Sequence, residues 1–232
     1  MNSRSLLTTA LFAAVLGLAS QAHAGVVSVS SSAALPTNDT ITWGQLGASN
    51  YSGFASPVSV TSGGGLNATV TDGQTLARLD EGLGWIGQFP NGDQLLWNAG
   101  DYQSPTPITI DFATSIYGAG ALIQADDYGP FTATVSIYDS TDTLLGSFNF
   151  NGDSTDAPGT ALFAGAVSSA ADVSSIVFSV DAGGGNFAID TLDLNTNGAG
   201  AGVPDTSATL ALLALAVAGL FAYRMRLAGS AA

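Results

Sequence analysis

Residues 131–138 read FTATVSIY. Successive side chains of an extended chain point to opposite sides, so Phe131, Ala133, Val135 and Ile137 share one face and Thr132, Thr134, Ser136 and Tyr138 the other. That is a strand with one face buried and one in water. The same period of two recurs on both sides of it. Ile108, Ile110 and Phe112 alternate with Thr109 and Asp111, and Ile176, Phe178 and Val180 with Ser175, Val177 and Ser179. Further strands are expected over 26–30, 40–43, 66–71, 119–124, 144–150 and 187–194. Turn residues separate them at Asn91-Gly92-Asp93, Asn151-Gly152-Asp153 and 181–186. Amphipathic helices and internal repeats are not evident. Roughly nine short strands without crossover helices predict an all-β, antiparallel β-sandwich of jelly-roll type over residues 25–195.

The last of these strands breaks phase. Phe187 and Ile189 demand one face, whereas Leu192 and Leu194 demand the face that strict alternation would deny them. A bulge near Asp190 reconciles the two halves.

The charge is lopsided. Eighteen acidic residues stand against four basic ones, for a net charge of −14. Every acid but Glu81 is Asp, there is no Lys, and Arg78 is the only basic residue between the two ends of the chain. Such a surface repels a phosphate backbone, which excludes nucleic acid as a partner, and it attracts cations. Cysteine is absent, which removes thiol chemistry and Cys-based zinc sites.

The N-terminus reads as a secretory signal peptide over residues 1–24. Arg4 supplies the positive start, residues 6–18 the apolar run, and Ala22-His23-Ala24 the small-x-small site, with cleavage before Gly25. His23 is the sole histidine and leaves with that peptide, so the exported chain has no Ser-His-Asp triad and no histidine metal site.

The other end carries three features in sequence. Val203-Pro204-Asp205 is followed by an apolar run over 207–223, then by Arg224 and Arg226. As a helix the run spans roughly 26 Å, enough for one membrane crossing. The arginines place its C-terminal end in the cytoplasm and the acidic domain outside. Residues 196–202 form a Gly/Ala/Asn linker between domain and membrane, and 203–232 a sorting segment.

This tripartite tail resembles the PEP-CTERM family of exported bacterial proteins, in its VPD-type variant, VPDSG-CTERM. Thr206-Ser207 stand where that variant has Ser-Gly. The resemblance implies an exosortase, a membrane processing enzyme that cuts near Val203-Pro204-Asp205. It also implies a Gram-negative-type bacterium, passage through the inner membrane, and a surface or matrix location associated with exopolysaccharide. The phrase Asn186 to Leu192 also resembles the closing strand of carbohydrate-binding jelly rolls.

The domain itself carries few chemical signatures. Asp39, Asp126, Asp127, Asp190 and Asp193 are oxygen donors of the kind a structural calcium ion needs, with Asp190 beside the opening segment the expected place. They are equally good residues for solvated turns. Glu81, the lone Glu, follows Arg78 and Asp80 and lacks a marked partner acid, so a glycan-acting enzyme is the weakest reading. Trp85 and Trp97 lie in a Gly-rich, loop-like stretch and are candidates for stacking on sugar rings, although aromatics in a small sandwich are more often core. The expected function is a non-enzymatic surface or matrix protein, with a carbohydrate-binding module using Trp85 and Trp97 as the alternative.

Overall fold

A computed structural model describes residues 25–47, 50–101 and 104–198. These residues are all-β, with helix limited to three short 3-10 turns. In chain order the strands are β1 (Val26–Val29), β2 (Asp39–Ile41), β3 (Ser52–Ala55), β4 (Val58–Thr61), β5 (Asn67–Thr71), β6 (Thr75–Asp80), β7 (Gln94–Asn98) and β8 (Ile108–Ile116). They continue as β9 (Gly118–Ala125), β10 (Gly129–Tyr138), β11 (Leu144–Ser154), β12 (Leu162–Ser168), β13 (Val173–Val180), β14 (Phe187–Ile189) and β15 (Leu192–Asn195).

They form two antiparallel sheets. One has six strands in the order β11-β10-β13-β8-β5-β4. The other has nine, in the order β1-β12-β9-β14-β7-β6-β3, with β15 pairing both β9 and β2. Consecutive strands change sheet repeatedly, so few neighbours in sequence are neighbours in the ladder. Residues from both sheets meet in one buried cluster. Val70, Ile108, Ile110, Val135, Ile137, Ile176 and Phe178 of the six-stranded sheet join Ile41, Ala121, Ile123, Phe187, Ile189, Leu192 and Leu194 of the nine-stranded one. Each fully buried Ile, Leu or Phe contributes about 1.5–3 kcal/mol.

Phe131, Ala133, Val135 and Ile137 are buried, as their alternation requires. The bulge expected near Asp190 is present. Ile189 pairs with Ile123 on β9, whereas Asp193, four residues on, pairs with Gly120, only three back. One extra residue thus sits between β14 and β15. It returns Leu192 and Leu194 to the core beside Phe187 and Ile189. Trp43, fully buried, donates its indole N–H to the Asp190 carbonyl and ties the offset to the opening segment.

Some expectations are corrected. Asn151-Gly152-Asp153 is not a turn but the end of β11, paired with Thr132, Phe131 and Pro130. A Cβ at Gly152 would collide with the Phe131 ring, so this glycine is there to let an aromatic lie across the strand. Trp43 begins a 3-10 turn and is not strand. The stretch containing Trp97 is not loop-like, since Trp97 belongs to β7. β6 and β7 escape the period-two test because most of their residues are buried, on both faces.

Deleting Thr191 alone removes the offset and leaves Leu192 and Leu194 in strict alternation with Phe187 and Ile189, so all four can still face the core, whereas deleting Asp190 and Thr191 together restores the conflict and turns Leu192 and Leu194 away. For the double deletion we expect a loss of about 4 kcal/mol or more in stability, or failure to fold. Deleting Thr191 alone should cost far less. Thermal unfolding followed by circular dichroism compares the two.

Candidate functional site

The outer face of the nine-stranded sheet is covered over β6, β7 and β14. Leu79, Leu95 and Ala188 form a second buried cluster there with Trp85 and Phe89, which come from the segment 81–93 linking β6 to β7. That segment folds back on itself. Glu81 N–H bonds the Asp93 carbonyl at 2.9 Å, and Gly82 N–H bonds the Trp85 carbonyl at 2.8 Å. Asn91-Gly92-Asp93 makes the return turn the sequence predicted, with Gly92 at φ 89°. The Trp85 and Phe89 rings meet edge to face, 6.2 Å apart.

Gln124 of β9 fastens this segment to the sheet. Its side chain is fully buried and fully used. Oε1 accepts from the Trp85 indole at 3.0 Å and from Gln88 N–H at 2.7 Å. Nε2 donates to Ser154 Oγ and to the Thr155 carbonyl, both at 2.8 Å. Gly87 has no room for a Cβ between Gln124 and the Trp85 indole. A satisfied buried amide of this kind fixes one arrangement of the segment, because any other leaves polar groups unpaired in the core.

Trp85 is therefore only 6% exposed and serves the second core. Trp97 packs against the same cluster and meets Tyr51 at a ring distance of 5.8 Å, so the structure does bring the two tryptophans together. The Trp97 indole N–H is buried without a partner. What the segment exposes is its crest. Ile86 is 61% and Tyr128, at the start of the next hairpin, 60% accessible. The Tyr128 hydroxyl donates to the Ile86 carbonyl at 2.9 Å. Gly84, Trp85, Ile86, Asp126 and Tyr128 line a cavity of about 300 Å³. Burial, and then the neighbouring Asp127, raise the Asp126 carboxyl above its ordinary range. Tyr128 and Ile86 carry no sequence signal beyond lying next to Asp126-Asp127 and Trp85.

The acids considered for metal binding do not converge. Among the described residues, no group of three or more His, Cys, Asp or Glu is placed to hold a metal ion. Asp39 accepts from Thr40 N–H, Gly64 N–H and the Ser62 hydroxyl, as a turn-forming Asp does. Asp193 accepts from Ser32. Asp190 does lie beside the opening segment, but its Oδ1 accepts from Leu122 N–H at 2.8 Å. Glu81 is buried, with Oε1 on Gly87 N–H and Oε2 without a partner, and Arg78 is buried and clamped by both Asp80 oxygens.

A second concavity lies on the six-stranded sheet. Ser59, Thr61, Asn67, Thr69 and Asp111 line a groove of about 510 Å³. It shares Asp111, Phe112 and Ala113 with a neighbour of about 290 Å³ that reaches Asp139 and Asp142. The register of β8 against β13 jumps here, from Asp111 opposite Ser175 to Ile116 opposite Val173, and the looped-out residues shape the groove. Its walls mix hydroxyl, amide and carboxylate groups with Val60, Ala68, Phe112 and Ala113.

Gly25, next to the expected cleavage site, exchanges hydrogen bonds with Ser169. Ala22, Ala24, Val203, Pro204, Asp205, Arg224, Arg226 and the apolar run 207–223 lie outside the described residues. Among the described residues, no helix is long and apolar enough to cross a membrane. Residues 202–227 match a family model described as the VPDSG-CTERM motif. The chain thus carries a PEP-CTERM-like C-terminal sorting motif. No curated protein matches the chain. Among solved structures it is similar to a DUF4465 family protein from Bacteroides caccae, at 12% identity and a TM-score of 0.43, with 68% of this chain and 100% of that one covered.

Replacing Gln124 with Leu strands the Trp85 and Gln88 donors and should cost about 2–4 kcal/mol. The accompanying sign is altered tryptophan fluorescence, read during denaturant unfolding.

Asp190 gives a pH prediction. Burial holds its carboxyl well above the usual range; Leu122 N–H opposes this, and Asp93 and Asp193 add to it. Burial also raises Glu81, Asp93 and Asp193. Such groups bind protons more readily folded than unfolded, so their contribution is full below the unfolded pKa and is lost as pH rises through the folded one. The melting temperature should therefore be higher near pH ~5 than near pH ~7.5. Asp190→Asn keeps an acceptor for Leu122, should add about 1 kcal/mol at neutral pH, and should narrow that difference. An unchanged pH profile would count against the burial argument.

Proposed function

We propose that this chain is an exported cell-surface or matrix protein of a Gram-negative-type bacterium, sorted by its C-terminal segment and associated with exopolysaccharide. The observation that carries this is the VPDSG-CTERM match over residues 202–227, where Val203-Pro204-Asp205, an apolar run and Arg224 and Arg226 follow one another. In this reading residues 1–24 take the chain through the inner membrane and leave at Gly25. Residues 207–223 hold it there until an exosortase-type enzyme acts at the Val-Pro-Asp signature. Pro204 suits that role, because it keeps the signature out of helix and extended.

The domain so delivered is a non-catalytic β-sandwich of jelly-roll type. The core shared by both sheets and the repeated crossing of the chain between them support that architecture. The non-catalytic reading is supported by the state of its most reactive groups. Glu81 is buried against backbone, Arg78 is neutralised by Asp80, and residues 25–202 contain no His, Lys or Cys. Sugar contact by Trp85 and Trp97 through their faces does not suit rings that build the second core. The cavity beside exposed Tyr128 is the better place for a carbohydrate-binding reading.

Mass spectrometry of both ends of the protein, taken from membranes and from extracellular matrix, tests the sorting. The matrix form is expected to begin at Gly25 and end near residues 203–205. A chain intact to Ala232 in every fraction would sink the processing step.

A further inference from the structure

We infer that the cavity lined by Gly84, Trp85, Ile86, Asp126 and Tyr128 is a subsite for a glycan bearing free amines, such as a partly deacetylated amino-sugar polymer. This rests on the polysaccharide reading above and specifies its chemistry.

Three observations lead there. The first is a fixed aromatic platform. Tyr128 is largely exposed, yet its hydroxyl is tied to the Ile86 carbonyl at 2.9 Å. The ring is thus oriented before any ligand arrives, which lowers the ordering cost of binding. Ile86 beside it is also exposed, and Trp85 below is immobilised by Gln124. An apolar ring face with a rigid floor suits the flat underside of a pyranose.

The second is the polar partner in the same cavity. Asp126 is half-buried on the cavity wall, with exposed Asp127 next to it. Two adjacent carboxylates beside a tyrosine face form a receptor for an ammonium group: the ring attracts a cation through its quadrupole, and the carboxylates through charge.

The third is the field around the site. The chain carries a net charge of −14, and the one basic residue of the domain, Arg78, is buried and paired to Asp80. Among the described residues no exposed cation is available to receive a uronate, sulfate or phosphate. An acidic polysaccharide is therefore repelled over the whole approach, a neutral one is indifferent to the field, and a cationic one is drawn in.

The test is isothermal titration calorimetry of the full chain in detergent against three oligosaccharides of equal length: β-linked glucosamine, its N-acetylated counterpart, and a uronate. The glucosamine oligomer should bind about tenfold more tightly than the N-acetylated one at low salt. The gap should shrink as salt screens the charges, and the uronate should not bind. Tyr128→Ala should weaken binding roughly tenfold, whereas Tyr128→Phe, which keeps the ring but frees it from the Ile86 carbonyl, should weaken it by only about two- to threefold. Asp126→Asn should remove most of the preference for free amine and leave binding of the N-acetylated oligomer unchanged. Both positions are at the surface, and circular dichroism checks that each variant folds. Equal affinity for glucosamine and N-acetylglucosamine oligomers would overturn the inference, as would a preference that survives both Tyr128→Ala and Asp126→Asn. In either case the polysaccharide reading stands. Binding of none of the three oligomers would overturn both.

Discussion

A single surplus residue between β14 and β15 governs how this domain closes. Both strands lie along the same edge of β9, one register unit out of step. Without that step Phe187 and Ile189 could be buried, or Leu192 and Leu194, but not all four. The backbone at the step is held from two sides. Leu122 exchanges two bonds with Asp190, one through each residue's N–H, and the Trp43 indole reaches the Asp190 carbonyl. The opening segment is thereby fastened to the closing one, since β2 pairs with β15 just beyond. The cost is a carboxyl placed where its charge is poorly solvated.

The nine-stranded sheet then differs from the six-stranded one in a way that matters for binding. The six-stranded sheet turns a face of Thr, Ser and Asn to water, laced by lateral bonds such as Thr134 to Asn149 and Ser136 to Ser147. The nine-stranded sheet covers part of its outer face with the segment 81–93, which builds a second core from Trp85 and Phe89. A covering segment must place its polar groups somewhere, and Gln124 absorbs them. Its crest, freed from core duty, exposes Ile86 beside Tyr128 of the β9–β10 connection.

Alternation makes a strand legible where one face is wet, but coverage alone does not decide it: β9, buried on both faces, is expected from the run over 119–124, whereas short β3 and β4, with alternating exposure, are not. β10, half-buried along its length, shows strict alternation, and its range is readable within two residues. β6 and β7 are buried on both faces, so the signal that defines a strand with one wet face is absent from them. Gly152 misled for a different reason: its neighbours resemble a turn, and only the Phe131 ring lying across it explains a glycine in a strand. The candidate cavity was less legible. Trp85 lines it, but which aromatic faces out depends on Gln124, far along the chain from Trp85.

The sequence by itself determined the all-β class, the acidic exterior, the break at Asp190 and the C-terminal sorting motif, because each is written in local pattern or composition. Tertiary structure alone decided which strands pair, which tryptophan is buried, and which tyrosine stands beside a cavity. Those choices depend on contacts between residues distant in the chain, and local periodicity carries no record of a partner that arrives from another strand.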